Sequence, residues 1–182
     1  TEPNFGHLSK TNYITSKVAD KLNTIGIKAR NNQVRLSMHP GQFCVLASDR
    51  EEVVKKSIEE FEYHVDIARW MGYGKSFQDF KINVHISGRQ GPEGIKNVLG
   101  KLSPEARNTI TIENEENAWG LDSCLELEKH VPLVLDIHHH WCNSNGEYIS
   151  ANDDRVKRVI DSWRGVRPTC HYSVSREEHL PE

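Results

Sequence analysis

The sequence predicts an α/β protein made of repeated β/α units. Three observations predict it. Short β-branched runs alternate with apolar stripes at helical spacing. The runs end, one after another, in an imidazole or a carboxylate. Five such runs follow in order along a chain of 182 residues. A doubly wound sheet would place a ligand at one switch point between strands. A TIM barrel gathers residues from many strand ends on one face, and the strand-end pattern favours it. Five runs fall short of eight and 182 residues fall below the usual length, so the expectation is a single TIM-barrel-like domain over residues 1–182, incomplete at both ends.

The elements follow in order. Ile14, Val18, Leu22 and Ile25 recur at helical spacing, with Gly26 behind them as a stop. Val34-Arg35-Leu36-Ser37-Met38 is the first strand and runs into His39, ahead of a loop opening on Pro40-Gly41. Ser48-Asp49-Arg50-Glu51 has the form of a capping box. Behind it Val54, Ile58, Phe61, Val65 and Ala68 make a helical stripe, closed by Gly72 and Gly74. Ile82-Asn83-Val84 runs into His85, and Ser87-Gly88 and Gly91-Pro92 signal a loop. A short helix is expected from Ile95 to Leu102. Pro104 then precedes the strand Thr109-Ile110-Thr111-Ile112, which runs into Glu113.

Asp122 is placed to cap a helix with Leu125 and Leu127 inward. Pro132 opens the strand Leu133-Val134-Leu135, which runs into Asp136. In extended chain the following His138, His139 and His140 cannot all face one way, because side chains alternate. An Asn- and Gly-rich loop is expected from Cys142 to Asn152. Val156, Val159, Ile160 and Trp163 mark another helix, and Pro168-Thr169-Cys170 runs into His171.

Composition narrows the function. Hydrophobic residues make up 36% and mean hydropathy is -0.65, with no apolar run near the membrane-spanning length of ~18 residues. No secretory signal is visible. Cys44, Cys124, Cys142 and Cys170 form no C-x-x-C pair and read as reduced thiols of an intracellular protein, in cytoplasm or nucleoid. A monomer is the expected state. The net charge of -3 does not advertise a polyanion binder. A bound divalent ion would invert the local field, however.

Imidazole nitrogen mixed with carboxylate oxygen suits Mn, Zn, Fe or Co, whereas Mg or Ca would draw an all-oxygen set. His39, His85, Glu113, Asp136, His139 and His171 are too many donors for one tetrahedral ion. They fit a cluster of two or more ions about 3.5–4 Å apart, bridged by Glu113. One histidine after a strand is ordinarily a hydrogen-bonded structural group, and one acid there is often an N-cap. Capping alone would select Ser or Asn over His, so the joint pattern points to metal. Beyond His39, Gly41-Gln42-Phe43 sets an amide and an aromatic in a loop. Such a pair reads either as loop packing or as a wedge into a base stack. Lys55, Lys56, Arg89, Lys96, Lys101 and Arg107 are candidate phosphate contacts or plain surface charge.

Five segments together resemble the UV damage endonuclease family. They are Arg35-Leu36-Ser37-Met38-His39-Pro40-Gly41-Gln42-Phe43, Asn83-Val84-His85-Ile86-Ser87-Gly88, Ile112-Glu113-Asn114-Glu115-Glu116, Leu135-Asp136-Ile137-His138-His139-His140 and Cys170-His171-Tyr172-Ser173. The resemblance implies a TIM barrel holding a divalent cluster, commonly manganese, with Zn, Mg or Co as alternatives. It implies a nick 5′ to UV photoproducts in double-stranded DNA, leaving a 3′-hydroxyl. Carried over, His39, His85, Glu113, Asp136, His139 and His171 are metal ligands, and Glu113, Asp136 and His139 are catalytic. Gln42 and Phe43 probe the lesion. His7 is a stand-in for a ligand that the family carries before the first motif.

Two departures accompany it. Thr169 stands where family members often have Lys, and the acidic ligand expected near the end has only Glu177 or Glu178 to represent it. The rival readings are a related metal-dependent barrel (abasic-site endonuclease or sugar isomerase) and a truncated, non-catalytic DNA- or metal-binding remnant.

Overall fold

A computed structural model of the chain describes residues 16–173. Five parallel strands lie side by side in chain order: β1 (Ser37–Met38), β2 (Lys81–His85), β3 (Ile110–Glu113), β4 (Leu133–Asp136) and β5 (Cys170–His171). The helices are α1 (Ser16–Asn31), α2 (Glu51–Trp70), α3 (Gly91–Leu99), α4 (Pro104–Thr109), α5 (Leu121–Leu125), α6 (Ile137–Asn143) and α7 (Asp154–Ser162). This is the wall of a TIM-type barrel, a half-barrel of β/α units. Register aligns the strand ends: His85 pairs with Glu113, and Asp136 pairs with His171.

The central strands are buried on both faces, but only one face is apolar; the other carries Lys81, Asn83, Thr111 and Glu113. Ile82, Val84, Ile110, Ile112, Leu133 and Leu135 are all buried. Phe61, Val65 and Ala68 of α2, Ile95 and Val98 of α3 and Val159 of α7 complete the same core. The sheet curls far enough for side chains to link its two edges. At one end Arg35, just before β1, donates from Nη1 to the Pro168 carbonyl, just before β5, at 3.3 Å. At the other the rings of His39 and His171 stack 6.1 Å apart.

Several expected elements differ. Gly26 does not stop α1, which runs five residues further, to Asn31. A Cβ on Gly26 would lie 1.9 Å from the Met71 carbonyl oxygen, so this glycine lets α1 lie directly against the end of α2. The inward face of α1 is therefore Leu22, Gly26 and Ala29, while Val18 and Ile25 are exposed; Ile14 lies outside the described residues.

No capping box forms at α2. Ser48 Oγ accepts instead from the Arg50 amide at 3.1 Å, and Arg50 is the N-cap residue without a side-chain bond. α3 starts at Gly91 rather than Ile95. Asp122 lies within the first turn of α5, with Gly120 at the cap.

Pro104 precedes β3 as expected, but it opens an unexpected helix, α4, where proline suits the first turn. Its N-cap is Ser103, whose Oγ accepts from the Ala106 amide at 3.2 Å and itself donates to Glu62 of α2 at 2.9 Å. The three consecutive histidines are helical, not extended. Residues in α6 are spaced about 100° apart, so His138, His139 and His140 point in three directions.

Candidate metal centre

The C-terminal ends of all five strands converge on Glu113. It closes β3, is 1% exposed, and receives a hydrogen bond from the Asn83 side-chain amide on β2. Thr111 Oγ donates in turn to Asn83 Oδ1 at 2.8 Å, which fixes the direction of that amide.

Four imidazoles surround the carboxylate. His171 Nδ1 lies 2.7 Å from Oε1, and His139 Nδ1 lies 3.8 Å from it. His39 Nε2 lies 3.3 Å from Oε2, and His85 Nε2 lies 3.5 Å from it. His39 turns Nε2 inward because its Nδ1 is engaged by the Pro40 carbonyl at 3.0 Å.

Asp136 has two tasks. Its Oδ1 caps α6 by accepting from the His139 amide at 2.8 Å. Its Oδ2 stays turned to the imidazoles, 3.8 Å from His171 Nδ1 and 3.9 Å from His139 Nδ1. The oxygen that caps the helix and the oxygen that faces the imidazoles are thus different atoms of one carboxylate. Asn114 locks β3 to β4 beneath them. Its Nδ2 donates to the Asp136 carbonyl at 3.0 Å, and its Oδ1 accepts from the Asp136 amide at 2.8 Å.

Electrostatics follow from this packing. Burial alone would push the Glu113 pKa up. Hydrogen bonds from His171, His39 and His85 outweigh burial and hold the carboxyl well below its ordinary range. The same contacts raise His39 and His171, each chiefly through its hydrogen bond to Glu113. A buried carboxylate kept ionised among imidazoles is the donor set of a divalent centre of the borderline transition type. Around Glu113 two groups have ligand atoms within 4.8 Å of one another: His39, His85 and Glu113, and then Glu113, Asp136 and His139. Glu113 belongs to both, as a bridging ligand would.

A cleft of about 280 Å³ opens beside these groups, between the Pro40–Gln42 loop and Glu115–Asn117. Phe43 is 74% exposed, because its neighbour Cys44 takes the buried place in that loop. The packed-loop explanation for the aromatic therefore fails, and Gln42 is exposed with it. The lysines and arginines scatter. Arg89 follows β2 on the cleft side and pairs with Asp49 at 3.4 Å. Lys96 pairs with Glu93 at 2.7 Å. Arg107 lies in α4, ahead of β3 and so at the opposite end of the sheet.

His138 and His140 stand apart from the cluster. His140 is buried, with Nε2 3.5 Å from Glu147, and burial lowers its pKa. His7, Glu177 and Glu178 lie outside the described residues. Residue-by-residue reading missed Asn83, Thr111 and Asn114 as supports. Their signal was a polar side chain inside or just after a run that should be wholly apolar.

Comparison with known proteins gives these groups a context. The model of the UV-endonuclease UvdE family matches residues 3–180. A UV DNA damage endonuclease of Clostridium perfringens is 35% identical over 151 residues, which cover 79% of this chain and 35% of that protein. A UV-damage endonuclease of Schizosaccharomyces pombe is 32% identical over 187 residues, covering 95% and 31%. The crystal structure of SacUVDE superposes with a TM-score of 0.70 at 31% identity, over 90% of this chain and 61% of that one. Endonuclease IV from Thermus thermophilus has a TM-score of 0.55 at 13% identity, over 92% and 79%, and so shares the fold. The chain spans about half or less of the length of these curated relatives. With its five motifs at the ends of five parallel strands, the chain belongs to the UV-endonuclease UvdE family.

Proposed function

We propose that this protein is a metal-dependent DNA repair endonuclease that nicks double-stranded DNA on the 5′ side of UV photoproducts. The observation that carries the reading is the convergence of four imidazoles and two carboxylates beside the exposed Gln42-Phe43 loop. His39, His85, Glu113, Asp136, His139 and His171 are the ligands of a divalent cluster in this reading, with manganese the expected metal. When bound, such ions supply hydroxide near neutral pH and stabilise the attacking and leaving oxygens of a phosphodiester. Glu113 contributes a carboxylate that stays ionised at any physiological pH. Asn83 prevents it from rotating, and Asp136 is fixed by its own helix cap. His139 presents its ring toward both carboxylates. Phe43 and Gln42 enter the stack at the lesion, where a damaged pair costs less to open than an intact one. The protein acts as a monomer inside the cell.

The test is a duplex carrying one cyclobutane dimer, incubated with protein and Mn²⁺. The expected product is a nick 5′ to the dimer with a 3′-hydroxyl, and Glu113→Gln lowers its rate by a factor on the order of 100 or more. Metal-loaded protein that leaves the dimer duplex intact overturns the reading. Cleavage at abasic sites alone would move the chain to the related nuclease class, and lesion binding without cleavage would make it a non-catalytic binder. Phe43→Ala tests the probing role. It should weaken discrimination between damaged and intact duplex about 10-fold or more, at roughly 1–3 kcal/mol per lost stacking contact, and gel-shift competition measures it.

A further inference from the structure

We propose a second, thiolate-containing metal site beside the main cluster, on the neighbouring face of α6, formed by Glu116, His138 and Cys142 and suited to zinc. It shares no ligand with the cluster around Glu113. His138 and Cys142 stand four positions apart and share one face of α6. Cys142 Sγ and His138 Nε2 lie 3.7 Å apart. Zinc bonds of about 2.3 Å to sulfur and about 2.0–2.1 Å to nitrogen, at a tetrahedral angle, put those atoms about 3.6 Å apart. One ligand atom from each of the three residues falls within 4.8 Å of the others.

The carboxylate is brought there by a fixed loop. Asn143, next in the chain after Cys142, donates from Nδ2 to the Asn117 carbonyl at 3.2 Å and the Glu116 carbonyl at 3.5 Å. Gly120 makes room for this approach, since a Cβ there would lie 2.1 Å from Asn143 Oδ1. Glu115 ties the same loop by accepting from the Ala118 amide at 2.7 Å.

The His138 ring is set parallel to Trp141, with centroids 6.5 Å apart, and its buried Nδ1 has no hydrogen bond. The hydrogen bond at its other nitrogen, Nε2, runs to Cys142 Sγ, and a metal ion would replace it by holding both atoms. The chemistry also separates the two sites. Around Glu113 every donor is nitrogen or oxygen, which manganese accepts. Sulfur with nitrogen and one carboxylate oxygen selects zinc or cobalt over manganese. Three protein ligands leave a fourth tetrahedral position for water.

Cobalt(II) distinguishes the sites, because only a thiolate ligand produces a sulfur-to-cobalt charge-transfer band. Metal-free protein titrated with Co²⁺ should develop that band with one equivalent bound at this site. Cys142→Ser should abolish it, and His138→Gln and Glu116→Gln should each weaken Co²⁺ binding there at least ten-fold. Cys170→Ser, which removes the thiol beside His171, should retain it. So should Glu113→Gln, which disables the main cluster without touching this one. No band in excess Co²⁺, a band that survives Cys142→Ser, or a band lost in Glu113→Gln overturns the proposal. X-ray absorption of the zinc-loaded unaltered protein decides the case without a variant: a zinc–sulfur distance of about 2.3 Å supports the site, and its absence removes it.

Discussion

Lys81 begins β2 with its ammonium group inside the fold. The residue is 2% exposed, Nζ donates to the Asn108 carbonyl at 2.6 Å, and it lies 3.6 Å from the centre of the Phe77 ring. Burial, with added repulsion from Arg164 and Arg35, lowers its pKa to about 7. Between that value and the ordinary 10.5 the unfolded chain binds the proton and the folded chain does not. Stability therefore rises with pH across this window, by up to about 1.4 kcal/mol per unit. Lys81→Met should flatten the slope, and urea midpoints from about pH 7 to about pH 9, taken on both proteins, measure the difference. Asn114 offers a second test at this scale. Asn114→Ala removes two hydrogen bonds and orphans a buried amide and a carbonyl of Asp136, a loss of about 2–4 kcal/mol read from urea unfolding.

The strands were legible in the sequence because short β-branched runs carry buried Ile, Val and Leu at alternate positions and end in a His, Glu or Asp. Four of the five runs were placed within a residue or two; the first shrinks to Ser37–Met38 because β1 is an edge with one neighbour. The helices were less legible. α4 hid behind Pro104, whose role at a first turn depends on the Ser103–Glu62 contact with a distant helix. α6 hid because Asp136 ends a strand and caps a helix with no residue between them. α1 was misread through Gly26, a residue that reports on Met71 some forty positions away. The ligand candidates were visible as a list, while Asn83 and Asn114 became visible only when β2, β3 and β4 lay side by side. Gly26→Ala tests the close approach at this scale. The added methyl meets backbone rather than a movable side chain, so α1 must shift at a cost of about 1–3 kcal/mol, seen as a lower melting temperature.

The molecule as a whole draws its charged centre from every strand, so an ion held there would be coupled to the fold. An ion that binds only the folded chain stabilises it by about 2.7 kcal/mol at a concentration one hundred times its dissociation constant. Chelation should remove that increment from the unaltered protein, and Glu113→Gln should show little of it, with Mn²⁺ titrated into thermal melts as the measurement. The curl of the sheet adds a statement about time. Glu113 and His171 are 58 positions apart, and Arg35 and Pro168 are 133 apart. Contacts of such span should close late, after the β2–β3–β4 centre has formed from neighbours in the chain. A folding nucleus that precedes the meeting of the edges contains no complete ligand set. Manganese should therefore leave the refolding rate nearly unchanged and slow unfolding in proportion to the stability it adds. In stopped-flow traces with and without the ion, only the unfolding arm of the chevron would move.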